Sequence, residues 1–186
     1  NNSTLIANGT ADKPITFTSA ASSPMAGDWE GITFDSYSFN NSMKYCTVQY
    51  AGTVSGGAVY VHNTSLAFSN NHILDAKAYG LLLKWEAYFS EMNNNTIEKC
   101  GNHPVRIEAS KVHTIGTGNL FICQDEKGVN IYDGNSNILG NVSWKNLNKP
   151  YFVENTLDAY NGILTIEPGA IIKFMPNASL NIGSYG

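Results

Sequence analysis

The chain has 186 residues, of which 42% are hydrophobic and only 14% charged, with 17 glycines and a formal charge of −4. That length supports one domain, spanning residues 1–186, with a core of its own. The acidic balance, with Arg106 the sole arginine, argues against nucleic acid and anionic membrane surfaces as partners, because both would repel it. No run of about 18 apolar residues occurs, so no membrane span is expected.

In chain order, the predicted elements are short alternating runs punctuated by Gly, Asn, Ser and Pro. Pro14-Ile-Thr-Phe-Thr, Trp29-Glu-Gly-Ile-Thr-Phe and Met43-Lys-Tyr-Cys-Thr-Val predict the early strands. A marker then recurs every 22 to 24 residues: Gly57-Ala-Val-Tyr-Val, Gly80-Leu-Leu-Leu-Lys, Pro104-Val-Arg-Ile-Glu, Gly128-Val-Asn-Ile-Tyr and Pro150-Tyr-Phe-Val-Glu. Asn71, Asn95, Asn119 and Asn141 keep the same interval. Between the markers, Leu66-Ala-Phe, Ile73, Ile97, Leu120-Phe-Ile and Val142-Ser-Trp supply second or third strands. Two independent markers with one period define a solenoid in which each repeat is one coil. The coil is too short for a helix plus a strand, and the Leu-x-x-Leu-x-Leu pattern of leucine-rich repeats is missing.

A period of two along each strand assigns its faces. Counted from the marker, the inward positions are Ile32 and Phe34, Ala58 and Tyr60, Leu81 and Leu83, Val105 and Ile107, Val129 and Ile131, and Tyr151 and Val153. The outward positions are Thr33 and Asp35, Val59 and Val61, Leu82 and Lys84, Arg106 and Glu108, Asn130 and Tyr132, and Phe152 and Glu154. Stacked asparagines at a fixed corner can bond one another along the axis, a role assigned to Asn71, Asn95, Asn119 and Asn141. Turn preference alone would also place asparagine there. Cys100 and Cys123 lie one repeat apart, so adjacent coils would bring them to about 4.8 Å. They could be a disulfide or two buried thiols, with Cys46 unpaired.

These features resemble the right-handed, single-stranded parallel β-helix of the pectate-lyase-like superfamily, an all-β solenoid, here of roughly eight coils. The block Leu5–Ser19, Gly27–Phe34 and Ser42–Val48 is similar to β-helix repeats of large prokaryotic surface and secreted proteins. That resemblance implies an extracellular or cell-surface setting. The tail Leu164-Thr-Ile-Glu-Pro-Gly-Ala-Ile-Ile-Lys-Phe with Ser179–Ile182 resembles the segment preceding that block in such proteins. The chain thus reads as a fragment of an array with open ends, and head-to-tail self-association through Tyr185-Gly186 and Ser3–Ile6 is expected.

The resemblance also implies polysaccharide as the substrate class. Polygalacturonase-like hydrolases carry Asp-Asp and Gly-His-Gly, and neither occurs. Glu108 and Glu154 would lie two coils apart, at about 9.6 Å, near the carboxyl spacing of an inverting hydrolase. Calcium-assisted lyases need converging carboxylates, and Glu86, Glu108 and Asp133 are spread over separate coils. Neither a metal nor another cofactor is therefore expected. The four histidines, His62, His72, His103 and His113, lack paired ligand spacing. The expected function is a rigid scaffold or interaction module with a polysaccharide-binding face at Lys84, Trp85, Arg106, Glu108, Tyr132, Phe152 and Glu154; the alternative is a lyase or hydrolase at that face. Sequons at Asn2, Asn8, Asn40, Asn63, Asn94, Asn141 and Asn177 are compatible with a surface protein.

Overall fold

The computed structural model describes residues 3–132, 137–138 and 140–183. Asp133, Asn2 and Tyr185-Gly186 fall outside the described residues. Every strand pairing among those residues is parallel. The first face is a seven-stranded sheet running from Ile32–Phe34 through Gly57–His62, Tyr79–Lys84, Val105–Glu108, Val129–Tyr132 and Tyr151–Val153 to Ile172–Phe174. The second face carries Ile6–Asn8, Asn41–Lys44, Ser65–Ser69 and Tyr88–Asn93, then Asn137–Ile138, Leu157–Ala159 and Leu180–Ile182. The third carries Ile15–Phe17, Cys46–Gln49, His72–Leu74, Thr96–Glu98 and Leu120–Ile122, then Val142–Trp144 with Leu164–Ile166.

The chain visits the three faces in order, so the architecture is the expected parallel β-helix. Among the described residues it makes about six complete turns, with a two-strand partial turn at each end, a little short of the eight coils read from the sequence.

Like stacks on like along the axis. Ile32, Val59, Leu81, Val105, Val129, Tyr151 and Ile172 follow one another in register on the first face. Met43, Phe68 and Met92 do so on the second, and Phe17, Val48, Ile73, Ile97 and Phe121 on the third. Leu81, Val105 and Val129 are fully buried. Glycine stands at the Gly80 and Gly128 markers because neighbouring coils touch there: a Cβ on Gly80 would lie 2.7 Å from the Pro104 carbonyl oxygen, and one on Gly128 would overlap that of Pro150.

One inward assignment is wrong by a residue. Gly57 pairs with Tyr79, not Gly80, so Val59 and Val61 align with Leu81 and Leu83, while Tyr60 aligns with Leu82 on the outer surface. A one-residue change of phase exchanges the two faces of a strand. Val59 and Val61 are accordingly fully buried and Tyr60 is not, although Ala58 is also enclosed.

The corner between the second and third faces is made by one residue in the left-handed conformation: Tyr45 (φ 50°), Asn70 (57°), Asn94 (56°), Gly118 (72°) and Gly140 (74°). Asparagine and glycine suit that conformation. The next residue in three consecutive coils is Asn71, Asn95 or Asn119. Asn71 Oδ1 accepts the Cys46 N–H at 2.8 Å, Asn95 Oδ1 that of Asn71 at 2.9 Å, and Asn119 Oδ1 that of Asn95 at 3.1 Å. Each Nδ2 donates to a carbonyl of the coil before, on Met43, Phe68 and Met92. Each carboxamide therefore bonds the previous coil at both its atoms, and Asn71 and Asn95 also donate to the Oδ1 above.

Asn141 stands outside this line and accepts the Ile163 N–H instead. The physical reason lies in the intervening turn. The 3₁₀ segment Ala109–Thr114 takes the place of a second-face strand, and Leu120–Ile122 is not paired with Val142–Trp144. A cavity of about 300 Å³ opens between Gly116–Asn119 and Lys145–Asn148. Trp144 closes the interior there, its indole N–H reaching the Ala109 carbonyl at 3.3 Å.

Asn95 is fully buried, so Asn95→Ala strands a buried N–H and a buried carbonyl. The variant should lose about 2–4 kcal/mol in urea unfolding, and Asn141→Ala less than about 1 kcal/mol because that side chain is exposed. Equal losses at the two positions would contradict the ladder.

Candidate functional site

The residues singled out on the outer surface of the first sheet do come together, but mostly to satisfy one another. Arg106 Nη1 and Nη2 bond Glu154 Oε1 and Oε2 at 3.0 and 2.7 Å, a two-pronged pair spanning two coils. Arg106 also donates to the Tyr79 hydroxyl at 2.5 Å, and its guanidinium lies 5.2 Å from the ring centres of both Tyr79 and Tyr132. Asn130, opposite Arg106 in the next coil, adds a donor to Glu154 at 3.1 Å. The pair is partly buried, which strengthens the attraction, and leaves little of the only arginine to meet a ligand.

Glu108 and Tyr132 form a second closed unit. The Tyr132 hydroxyl donates to Glu108 Oε1 at 3.1 Å and accepts the Trp85 N–H at 3.2 Å. Glu108 is 5% exposed, and burial pushes its carboxyl above the ordinary carboxylate range, against the lowering influence of Tyr132, with the charge of nearby Glu86 raising it further. Burial is also the main reason the Tyr132 phenol is raised. Phe152 is half-buried between neighbours: His103 lies 5.0 Å from it ring to ring and Lys173 Nζ 5.3 Å from its centre. Lys84 is partly exposed at the end of its strand, beside Trp85.

Trp85 is different. It follows the strand Tyr79–Lys84 with φ 63°, a conformation that bulky side chains seldom adopt. One coil earlier the same corner holds Asn63 (φ 51°), whose N–H donates to the Lys84 carbonyl at 3.2 Å. Tryptophan thus occupies a turn position suited to asparagine, and its ring projects into solvent, 63% exposed.

Beside it lies a groove of about 310 Å³ lined by His62, Asn63, Trp85 and Glu86. The His62 ring meets Trp85 edge-on, 6.1 Å between centres and 79° between planes. One imidazole nitrogen of His62, Nδ1, is held by Asp35 at 2.6 Å, and this bond keeps the Asp35 carboxyl below its usual range. Glu86 is paired with Lys111 at 2.7 Å. The groove therefore combines one flat apolar face with an imidazole, a carboxamide and a charge-balanced carboxylate.

Outward position on the first sheet marked Arg106, Glu108, Tyr132 and Glu154 in the sequence but said nothing of their mutual bonding. His62, Asn63 and Glu86 were not singled out as site residues. The signal available for them was position: Asn63 and Trp85 sit 22 residues apart, at equivalent corners. Among the described residues no three His, Cys, Asp or Glu side chains converge as a metal cluster would, and no helix is long and apolar enough to cross a membrane.

Residues 28–143, more than half the chain, match the family described as right handed beta helix region, and the chain belongs to it. No curated protein and no solved structure matches the chain.

A carboxyl raised in the folded state binds its proton more tightly there than in the unfolded chain. Glu108 therefore costs stability as pH rises from the unfolded carboxylate value through the raised folded one. Glu108→Gln should be more stable than the parent at pH 7, and the difference should vanish below about pH 4. Denaturation midpoints across that range check it; a variant less stable than the parent at pH 7 would contradict a cost of burying the charge.

Proposed function

We propose that the chain is a rigid scaffold of an extracellular or cell-surface protein, and that its Trp85 groove binds a sugar ring of a polysaccharide. The observation that carries the reading is Trp85 itself: a bulky residue held in a left-handed turn and still 63% exposed. Backbone strain of this kind costs about 1–3 kcal/mol and gathers at functional positions. A flat indole face flanked by polar side chains suits the apolar face and hydroxyls of a pyranose. Since Arg106 is engaged by Glu154 and Glu86 by Lys111, a neutral sugar fits the groove better than a uronate. The described sequon asparagines, Asn8, Asn40, Asn63, Asn94, Asn141 and Asn177, are all exposed, in keeping with a surface setting.

Less supports catalysis by a lyase or hydrolase. Arg106 and Glu154 neutralise each other, and Glu108 is enclosed beneath Tyr132.

Binding is tested on a glycan array and by titration. The parent should retain neutral glycans without cleaving them. Trp85→Asn should weaken binding about tenfold or more, roughly 1.4 kcal/mol, while raising stability by about 1 kcal/mol because the strain is relieved. Retention of no glycan, or retention unchanged by the substitution, would sink the reading.

The same scaffold reading includes head-to-tail contact between copies. The last turn leaves Ile166, Phe174 and Ile182 exposed at 41%, 43% and 73%, although each is aligned with a buried residue one coil earlier: Trp144, Val153 and Ala159. Sedimentation velocity should show mass rising with concentration. A monomer at all concentrations would remove self-association from the proposal.

A further inference from the structure

Independently of the sugar groove, two cysteines leave neighbouring strands of the third face side by side. The strands Thr96–Glu98 and Leu120–Ile122 run side by side with Glu98 opposite Ile122, and the Lys99 N–H continues the pairing to the Ile122 carbonyl at 3.2 Å. Cys100 and Cys123 leave these two strands on adjacent coils. Their side chains lie close enough for each to shift the other's titration, and the Cys100 sulfur also faces the Glu98 carbonyl at 3.9 Å. In that register Cys123 stands opposite Lys99 and Cys100 lies one residue further on, so about 4.8 Å across the strands and about 3.3 Å along them put the two Cα atoms about 5.8 Å apart, within the roughly 4.4–6.8 Å that a disulfide spans. Both cysteines are free thiols in this structure.

We infer that Cys100 and Cys123 are a dithiol modification site, closed to a disulfide by a small disulfide oxidant so that two neighbouring turns of the solenoid are fastened together. The two thiols are not equivalent. Cys100 is 2% exposed and Cys123 8%, and Cys123 leads directly into the exposed turn Gln124–Glu126. The neighbouring Cys100 thiol draws the Cys123 thiol below its usual range, helped by the charges of Lys127 and Lys149, while the same proximity, with burial, pushes Cys100 up. Cys123 is thus the attacking sulfur.

Its thiolate attacks one sulfur of the oxidant, forming a mixed disulfide and expelling a thiolate. Cys100 then gives its proton to solvent and attacks the Cys123 sulfur, expelling the second thiolate. Two protein thiols lose two electrons and two protons, and the oxidant is reduced to two thiols. The two lysines near Cys123 favour an anionic oxidant, such as a glutathione-type disulfide. Cys46 takes no part: it lies on an earlier coil with its sulfur on the Ala7 carbonyl at 3.1 Å.

The test uses the folded, fully reduced parent protein, so no variant needs to fold. It is incubated with oxidised glutathione, quenched in acid, alkylated under denaturing conditions and peptide-mapped. The expected product has lost two hydrogens, joins Cys100 to Cys123 and keeps Cys46 alkylated. It also unfolds at a higher urea midpoint than the reduced protein. Three alkylated thiols, a glutathione adduct left standing on Cys123, a link through Cys46, or a midpoint unchanged or lowered by the cross-link would each overturn the inference.

Discussion

Three carboxamides stacked at one corner set the register on which the rest of the molecule depends. A parallel coil can slip against its neighbour unless something ties a particular residue to a particular residue. Asn71, Asn95 and Asn119 do this by bonding both an N–H and a carbonyl of the coil before. The left-handed residue preceding each turns the chain so that the carboxamide points inward. With register held there, aliphatic side chains on all three faces fall into columns, and the interior is closed without a helix-packed layer.

The outer surface of the first sheet follows from the same stacking. Residues two coils apart are brought within hydrogen-bonding reach, which is why Arg106 can clasp Glu154 across Asn130. That contact and the Glu108–Tyr132 bond pair the ionisable side chains in the middle of the sheet with one another, while Asn130 Oδ1 is left as a buried acceptor without a partner. At the sheet's margin Tyr132 accepts the backbone N–H of Trp85, and the indole stands in solvent. A turn built for stability would carry asparagine, as the coil before does at Asn63. In the proposed reading, the tryptophan trades some stability of the turn for contact with a sugar.

Much of the architecture was legible in the sequence because its cause is local and repeated. The interval between markers, the alternation in Val105-Arg-Ile-Glu and Val129-Asn-Ile-Tyr, and the corner asparagines each report a physical requirement met once per coil. Gly57 misled because a glycine marks close approach, and close approach came one residue early in that coil, so Val59 and Tyr60 exchanged faces. The segment Ala109–Thr114 was missed as a helical turn because its Ala-Ser-Lys-Val-His-Thr composition has no helix-specific signal over six residues. Asn141 kept the period but lost its ladder role, since the strands flanking that corner part company. The candidate site was legible only as a set of outward positions: a period of two says which side chains leave the core, not which will bond each other once outside.

The central claim is that successive coils stack with equivalent side chains in columns. It is tested most directly by methyl nuclear Overhauser contacts in the folded protein. The account predicts contacts from Leu81 to Val105 and from Val105 to Val129, each pair in register on the first face. Contacts that place these three residues in unrelated surroundings would contradict it.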